Sequence, residues 1–227
     1  ASTVDGANDL SVDAGSGTTT FDGALGATTP LGDGTGAALT IAGGAATFNG
    51  TVATASGIVQ EASAGLVTFN EDVTITGGDT ASSFAGNVTL DGLTFQTIDQ
   101  DASFTGSTLT LAGSTGVTLR VGGTSAHTIT VDAQVVGPVA TALNIWTNPA
   151  SAVILTNADN TYAGLTNINN GRLTVNGQLS ATGSPSTVTL VGPDTVLDGS
   201  GTLRQRSVVV ASTANNASIQ GVSIQGA

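Results

Sequence analysis

A short pattern of side chains recurs along this chain: a large apolar residue, a threonine and a second large apolar residue. Its copies are Leu39-Thr40-Ile41, Val73-Thr74-Ile75, Val88-Thr89-Leu90, Leu93-Thr94-Phe95, Leu109-Thr110-Leu111, Val117-Thr118-Leu119, Ile129-Thr130-Val131, Leu173-Thr174-Val175 and Val188-Thr189-Leu190. Because successive side chains of a strand point to opposite faces, each copy places two apolar groups on one face and a threonine on the other. The pattern therefore predicts many short, half-buried strands.

A second recurring pattern joins an aromatic residue to a corner: Ser or Thr, then Phe or Tyr, then any residue, and usually Gly. Its copies are Thr20-Phe21-Asp22-Gly23, Thr47-Phe48-Asn49-Gly50, Ser83-Phe84-Ala85-Gly86, Ser103-Phe104-Thr105-Gly106 and Thr161-Tyr162-Ala163-Gly164, with Thr68-Phe69-Asn70-Glu71 as a variant. The early aromatic positions are about 15 to 27 residues apart, close to the length of one solenoid coil. We expect each copy to end a strand at a corner where glycine supplies unusual backbone angles, and the phenylalanines to stack in an internal column.

These patterns predict an all-β fold, a parallel β-helix (β-solenoid) of short stacked strands, because no sustained apolar period of 3.6 residues predicts helices. Residues 1–133 are expected to form the coils of an acidic half. Residues 134–152, which hold two prolines and the only tryptophan, are expected to form an irregular junction, and residues 153–227 further coils. The alternative is a β-sandwich of unrelated hairpins, above all in the first 150 residues.

Composition and charge narrow the possible partners. Charged residues make up 9% of the chain, whereas an ordinary soluble domain has about 25%. The net charge is -12, and twelve of the sixteen acids, from Asp5 to Asp101, precede the first of the four arginines. Such a surface repels nucleic acid, and no apolar stretch reaches the roughly 18 residues of a membrane helix. We expect no nucleic-acid partner and no membrane insertion of this segment.

One stretch resembles a known family. It reads Asn157-Ala158-Asp159-Asn160-Thr161-Tyr162-Ala163-Gly164-Leu165-Thr166-Asn167-Ile168-Asn169-Asn170-Gly171-Arg172-Leu173-Thr174-Val175-Asn176-Gly177, and similar coils follow at Val188-Thr189-Leu190 and from Val196 to Leu203. It is similar to the autotransporter-associated β-strand repeat, in which Asn-Thr-Tyr-x-Gly precedes Thr-x-Ile and then Gly-x-Leu. The likeness covers about residues 153–205, with Leu165 and Asp198 as departures.

That resemblance implies a right-handed parallel β-helix of the kind found in autotransporter passengers and filamentous-haemagglutinin-like surface exoproteins. It also implies an extracellular location at a bacterial cell surface. The excess of negative charge, which keeps proteins soluble in salty external media, agrees with a secreted location.

The chain offers little for catalysis. Glycoside-cleaving enzymes place two carboxylates on either side of the scissile bond, and the best same-face pair here is Asp99 and Asp101, with Glu71 and Asp72 near them in sequence. The first half has no lysine and no cluster of arginines that could hold an acidic sugar. We therefore expect no enzyme, no catalytic residues and no cofactor.

A metal site is not expected either. His127 is the only histidine, and residues 125–127 are interpreted as a polar corner. Gly32-Asp33-Gly34 and Gly77-Gly78-Asp79 are interpreted as turns, because the glycine-aspartate nonapeptide of calcium-binding β-rolls is absent. Structural calcium remains the alternative.

The segment from Ser207 to Ala227 has no charge and no proline, and it repeats Ser218-Ile219-Gln220-Gly221 as Ser223-Ile224-Gln225-Gly226. Natural solenoids blunt their open ends with charges, prolines or capping elements. We therefore expect this segment to pair with a neighbouring subunit or a following domain. The predicted assembly interface consists of Val208, Val210, Ile219, Val222 and Ile224. Just before it, Arg204-Gln205-Arg206 either binds a polyanion or solvates an edge.

Together these observations favour a secreted, non-enzymatic structural protein that self-associates end to end into a filament or surface layer. The main alternative is an adhesin that binds host or matrix glycans or proteins, and polysaccharide hydrolysis comes third. An adhesin should expose an aromatic or charged patch on one flank, whereas a filament subunit should have complementary ends.

Overall fold

The structure of the protein is a computed structural model that describes residues 3–138, 140–179, 187–204 and 207–225. These residues form only strands, turns and loops, so none of them belongs to a helix that could cross a membrane. The first strands are β1 (Leu10–Asp13), β2 (Thr18–Phe21), β3 (Leu39–Ala42), β4 (Ala45–Phe48), β5 (Val52–Thr54), β6 (Ile58–Gln60), β7 (Val67–Phe69), β8 (Val73–Thr76), β9 (Ser82–Phe84), β10 (Val88–Asp91), β11 (Thr94–Ile98), β12 (Ala102–Phe104), β13 (Thr108–Ala112) and β14 (Val117–Gly122). The later strands are β15 (Thr128–Val131), β16 (Gln134–Val136), β17 (Leu143–Thr147), β18 (Ala152–Leu155), β19 (Thr166–Asn170), β20 (Arg172–Val175), β21 (Gln178–Leu179), β22 (Thr187–Leu190), β23 (Val196–Asp198), β24 (Thr202–Leu203), β25 (Ser207–Val210), β26 (Ser218–Ile219) and β27 (Ser223–Ile224).

Strands that follow one another along the chain usually lie in different sheets, and each strand pairs with its counterpart about one coil away. The first sheet has ten strands (β1-β3-β6-β9-β12-β15-β18-β20-β23-β26), the second has six (β2-β4-β7-β10-β13-β16) and the third has eight (β5-β8-β11-β14-β17-β19-β22-β25). A small fourth sheet holds β21-β24-β27. All the strand pairings in the described residues are parallel. The fold is therefore a parallel β-solenoid of about nine turns, as predicted, and not a sandwich of hairpins.

The apolar-threonine-apolar pattern lies as alternation requires. Both apolar members of each copy are buried, with at most 4% of the surface exposed, and each threonine is partly exposed. Equivalent threonines lie above one another across coils, as in the register Thr47-Thr68-Thr89-Thr110. The core is thus a single column of apolar side chains inside the coils, surrounded by polar ladders.

The predicted phenylalanine column is present as two stacks joined edge to face. On the second sheet, the ring centroids of Phe21 and Phe48 are 5.2 Å apart and those of Phe48 and Phe69 are 5.0 Å apart. On the first sheet, Phe84 lies 4.7 Å from Phe104, and it meets Phe69 edge-on at 6.2 Å. Each of these residues ends its strand, as expected.

The corner glycines serve a different purpose from the predicted one. Gly50, Gly106 and Gly164 do not adopt positive φ angles. Instead, a Cβ at Gly106 would lie 2.0 Å from the carbonyl oxygen of Gly86, and a Cβ at Gly164 would lie 1.6 Å from that of Thr141. These glycines let the backbones of successive coils approach closely at the corners.

Replacing Gly106 by alanine is therefore expected to destabilise the protein by about 1–3 kcal/mol, because the added methyl group forces two coils apart. Gly122→Ala is the matched control, since the nearest atom to its added Cβ is at an ordinary 3.4 Å. Urea unfolding followed by circular dichroism measures both. Equal losses in the two variants would contradict the close-approach explanation.

Residues 134–152 contribute regular strands where an irregular junction was expected. β16 pairs with β13, and β17 pairs with β14 and with β19, with one register shift between Ile145 and Trp146. The change in architecture comes at the next coil. There the second sheet ends at β16, and the small fourth sheet begins at β21.

The repeat-like residues bridge this change with buried polar side chains. The Asn160 side chain is fully buried; its Oδ1 accepts from the backbone N–H of Val135 at 2.7 Å, and its Nδ2 donates to the carbonyl oxygen of Gln178 at 2.6 Å. Tyr162 fills the core beside it and shares a hydrogen bond with the Thr166 hydroxyl, while burial raises the pKa of its phenol. Asn160 thus adds side-chain hydrogen bonds between coils where the second sheet has ended, beside the backbone bonds from Thr161 and Tyr162 to Val135 O.

Candidate functional site

The last described coil leaves one end of the apolar column uncovered. Val210 on β25 is in register with Leu190, and Ile224 on β27 is in register with Leu203. Leu190 and Leu203 are fully buried, yet 51% of Val210 and 52% of Ile224 is exposed. The difference arises because a further coil covers the leucines and no described residue covers their counterparts.

The five predicted interface residues all belong to this coil, although not equally. Val210, Ile219 and Ile224 are exposed, whereas Val208 and Val222 are partly buried and pack against the core. β25, β26 and β27 each have a strand partner on one side only, so the other edge of each strand has no ladder partner among the described residues. Apolar side chains and unpaired strand edges therefore coincide at this end.

The opposite end of the solenoid is also an edge, but it is acidic. β1 and β2 form it together with residues 3–9, where Val4 bridges to Leu25. Leu10 and Phe21 are half-buried at this end, and Val4 is 39% exposed. Four exposed carboxylates surround them, from Asp5, Asp9, Asp13 and Asp22. The two ends thus share strand direction and differ in charge.

The carboxylates considered for catalysis connect successive coils. Asp99 Oδ1 accepts from the backbone N–H groups of Thr124 at 2.7 Å and Ser125 at 3.0 Å. Asp101 Oδ1 accepts from Thr128 N at 2.7 Å, and Asp72 Oδ1 accepts from the next coil in the same way. Hydrogen bonds from the backbone of Ser125 and Thr124 lower the pKa of Asp99. These groups satisfy backbone donors at corners where the strand ladders stop.

Acid is therefore expected to loosen the coils. The pKa values of Asp5, Asp33 and Asp99 are lowered in the fold from an ordinary 3.8. A lowered pKa stabilises the fold above the ordinary value, and this stabilisation is lost as the pH falls through the folded value. The melting temperature should drop as the pH falls below about 4, and less so in Asp99→Asn. An identical pH profile for that variant would contradict the role given to Asp99.

The remaining polar residues lie at corners and turns. His127 precedes β15, where its Nδ1 is 3.4 Å from Asp101 Oδ1. Asp33 Oδ1 accepts from the N–H and the hydroxyl of Thr35 within a turn, as predicted. The described residues bring no three His, Asp or Glu side chains together as a metal site. Arg204 is partly buried, and Gln205 and Arg206 lie outside the described residues.

Sequence reasoning missed one feature on the outer surface of the third sheet. Arg120, Trp146 and Asn170 lie side by side on β14, β17 and β19, and with Asn148 they line a depression of about 260 Å³. Trp146 is 45% exposed. The signal was present, because alternation along Leu143–Thr147 places Trp146 opposite the buried side chains.

The chain matches no protein-family model, and comparisons with curated proteins and with solved structures find no significant similarity. The resemblance of residues 153–205 to the autotransporter-associated repeat therefore stays a prediction.

Proposed function

We propose that this protein is a structural subunit that assembles end to end, through strand pairing, into a filament or surface layer. The observation that carries the proposal is the uncovered apolar coil of residues 207–225, whose inward-facing positions are fully buried one coil earlier. A second copy stacked on this coil would bury those side chains and give the open strand edges a partner.

Charge favours head-to-tail stacking over the other arrangements. Pairing of two acidic ends would bring eight carboxylates together, because each end carries Asp5, Asp9, Asp13 and Asp22. The described residues of the last coil, 207–225, have no charged side chain. An acidic end placed on this neutral end meets no repulsion, and such a contact, repeated along the solenoid axis, extends as a filament and does not close into a ring.

The secreted location at a bacterial cell surface and the absence of catalysis are parts of the same proposal. The repeat resemblance supports the location, and the low content of lysine and arginine agrees with a role outside nucleic-acid or anionic-membrane binding. The carboxylates that could have served catalysis accept hydrogen bonds from the next coil, which supports a structural role for them.

Negative-stain electron microscopy of the purified chain over a range of concentrations tests the assembly. Ten strands spaced about 4.8 Å apart make a column roughly 45 Å long, so head-to-tail stacking should give unbranched fibres that lengthen with concentration. Single rods at every concentration would contradict self-assembly. Rods of twice the length that grow no further would show pairing of like ends and contradict the head-to-tail arrangement.

A further inference from the structure

The outer surface of the third sheet carries an aromatic side chain beside a cation. Counterparts on successive strands form a row that crosses the sheet from Gln96 through Arg120 and Trp146 to Asn170. The register shift after Ile145 places Trp146 beside Asn170, two residues beyond the partner of Ile145. This row, together with Asn148 and the glycine at position 122, is called the Trp146 platform below.

The platform is hollow because glycine takes one of its positions. Gly122 follows Val121 on β14, and both line the depression with Gly123. Larger side chains, Arg120 and Trp146, stand at its sides. The result is a shallow recess with an indole wall and an open face.

The chemistry of the wall fits a sugar ring. The indole of Trp146 is a large, rigid apolar surface. Because it is exposed, it can stack against the C–H face of a ligand at little cost in side-chain entropy. Asn148 and Asn170 supply amide oxygens, which accept hydrogen bonds from sugar hydroxyls. Hydrogen bonds within the protein fix both amides. Asn148 Nδ2 donates to Gly123 O at 3.2 Å and to Ser125 O at 3.1 Å, and Asn148 Oδ1 accepts from Ala150 N at 2.9 Å. Asn170 Nδ2 donates to Thr147 O at 3.0 Å, so a ligand would use the remaining lone pairs of the two amide oxygens.

Arg120 indicates that the ligand carries a negative charge. It is exposed, and its guanidinium makes neither an ion pair nor a hydrogen bond with the described residues. A guanidinium binds a carboxylate through two parallel hydrogen bonds. Asp99 lies beside Gly123 at the rim of the depression, and its Oδ1 accepts from two backbone N–H groups of the next coil.

We propose that the Trp146 platform binds a carboxylate-bearing sugar of an acidic polysaccharide, with the ring stacked on Trp146 and the carboxylate on Arg120. The platform lies on the flank of the solenoid and not at its ends, so the proposal does not depend on self-assembly. A single-stranded nucleic acid also combines bases that stack with negative charge. It is disfavoured because its charge lies along a phosphate backbone that needs a track of cations, whereas the platform has one exposed arginine, which suits a carboxylate attached to the stacked ring itself.

Fluorescence of the protein reads the site directly, because Trp146 is its only tryptophan. Titration with oligogalacturonate should change the emission until it saturates. The methyl ester of the same oligosaccharide, which keeps the rings and loses the charge, should bind about tenfold more weakly. An unchanged spectrum, equal binding of acid and ester, or an equal response to oligodeoxythymidylate would overturn the proposal.

Two variants locate the contacts. Arg120→Gln should bind acid and ester equally weakly, whereas Arg172→Gln removes the same charge from the first sheet and should leave the preference unchanged. Trp146→Ala should lose binding of both ligands in isothermal titration calorimetry, since it removes the stacking surface. Retention of the acid preference in Arg120→Gln, or of binding in Trp146→Ala, would contradict the assignment.

Discussion

Replacing Phe84 by alanine is expected to lower the free energy of unfolding by about 3–5 kcal/mol. Phe84 is fully buried at the point where the two phenylalanine stacks meet. Its ring contacts Phe69 and Phe95 edge-on and stacks on Phe104. The surrounding coils are fixed by their strand ladders, so they cannot close the cavity that the truncation leaves.

Phe21→Ala provides the matched control. Phe21 belongs to the same recurring pattern, but it is only half-buried, at the acidic end, and its ring stacks only on Phe48. Its truncation should cost clearly less, because part of the side chain already faces water. Urea unfolding monitored by circular dichroism compares the two variants. Losses of the same size would show that stability is not concentrated where the stacks meet.

The fold could be predicted from the sequence because a solenoid repeats one local rule. In Leu109-Thr110-Leu111, for example, alternation alone determines which side chains enter the core, and the neighbouring coils place like residues above one another. The same stacking produces outer ladders, such as Asn70 Nδ2 donating to Asn49 Oδ1 at 2.7 Å and Asn49 Nδ2 donating to Asp22 Oδ1 at 2.8 Å.

What the sequence did not reveal depends on distances between coils. Gly106 was expected to supply an unusual backbone angle. A glycine is needed there because the carbonyl oxygen of Gly86, in another coil, leaves no room for a Cβ. Asn160 looked like a family signature, whereas its burial between Val135 and Gln178 explains why an amide is needed there. The Trp146 platform required the neighbours of Trp146 on two other strands. None of these contacts is encoded within one coil.

The assembly interface, too, could be predicted from the sequence only in part. Uncharged composition identified the segment, and its apolar residues Val208, Val210, Ile219, Val222 and Ile224 were predicted as the interface. The structure adds that Val209, on the outer face of β25, is also exposed, at 44%. Exposure alone therefore does not mark the interface. What distinguishes Val210 is its register with a buried core residue, Leu190.

Because Val210 faces the apolar column, Val210→Asp is expected to weaken end-to-end association by on the order of 100-fold. In the free subunit the aspartate is half-exposed and tolerated, but a stacked coil would bury its charge in the apolar column without a partner. Val209→Asp makes the same chemical change one residue earlier, on the outer face, and should leave association nearly unchanged. Sedimentation velocity over a concentration series measures both.

Substitution is a sharper test than truncation at this end. Removing residues 207–225 would uncover Val188, Leu190, Leu197 and Leu203, which are an equally apolar coil. A truncated chain could therefore associate through its new end for the same physical reason. A charged residue at position 210 leaves the coil in place and changes only the face that a second copy must cover. Association that survives Val210→Asp, or that falls equally with Val209→Asp, would show that the contact is not made by stacking on this coil.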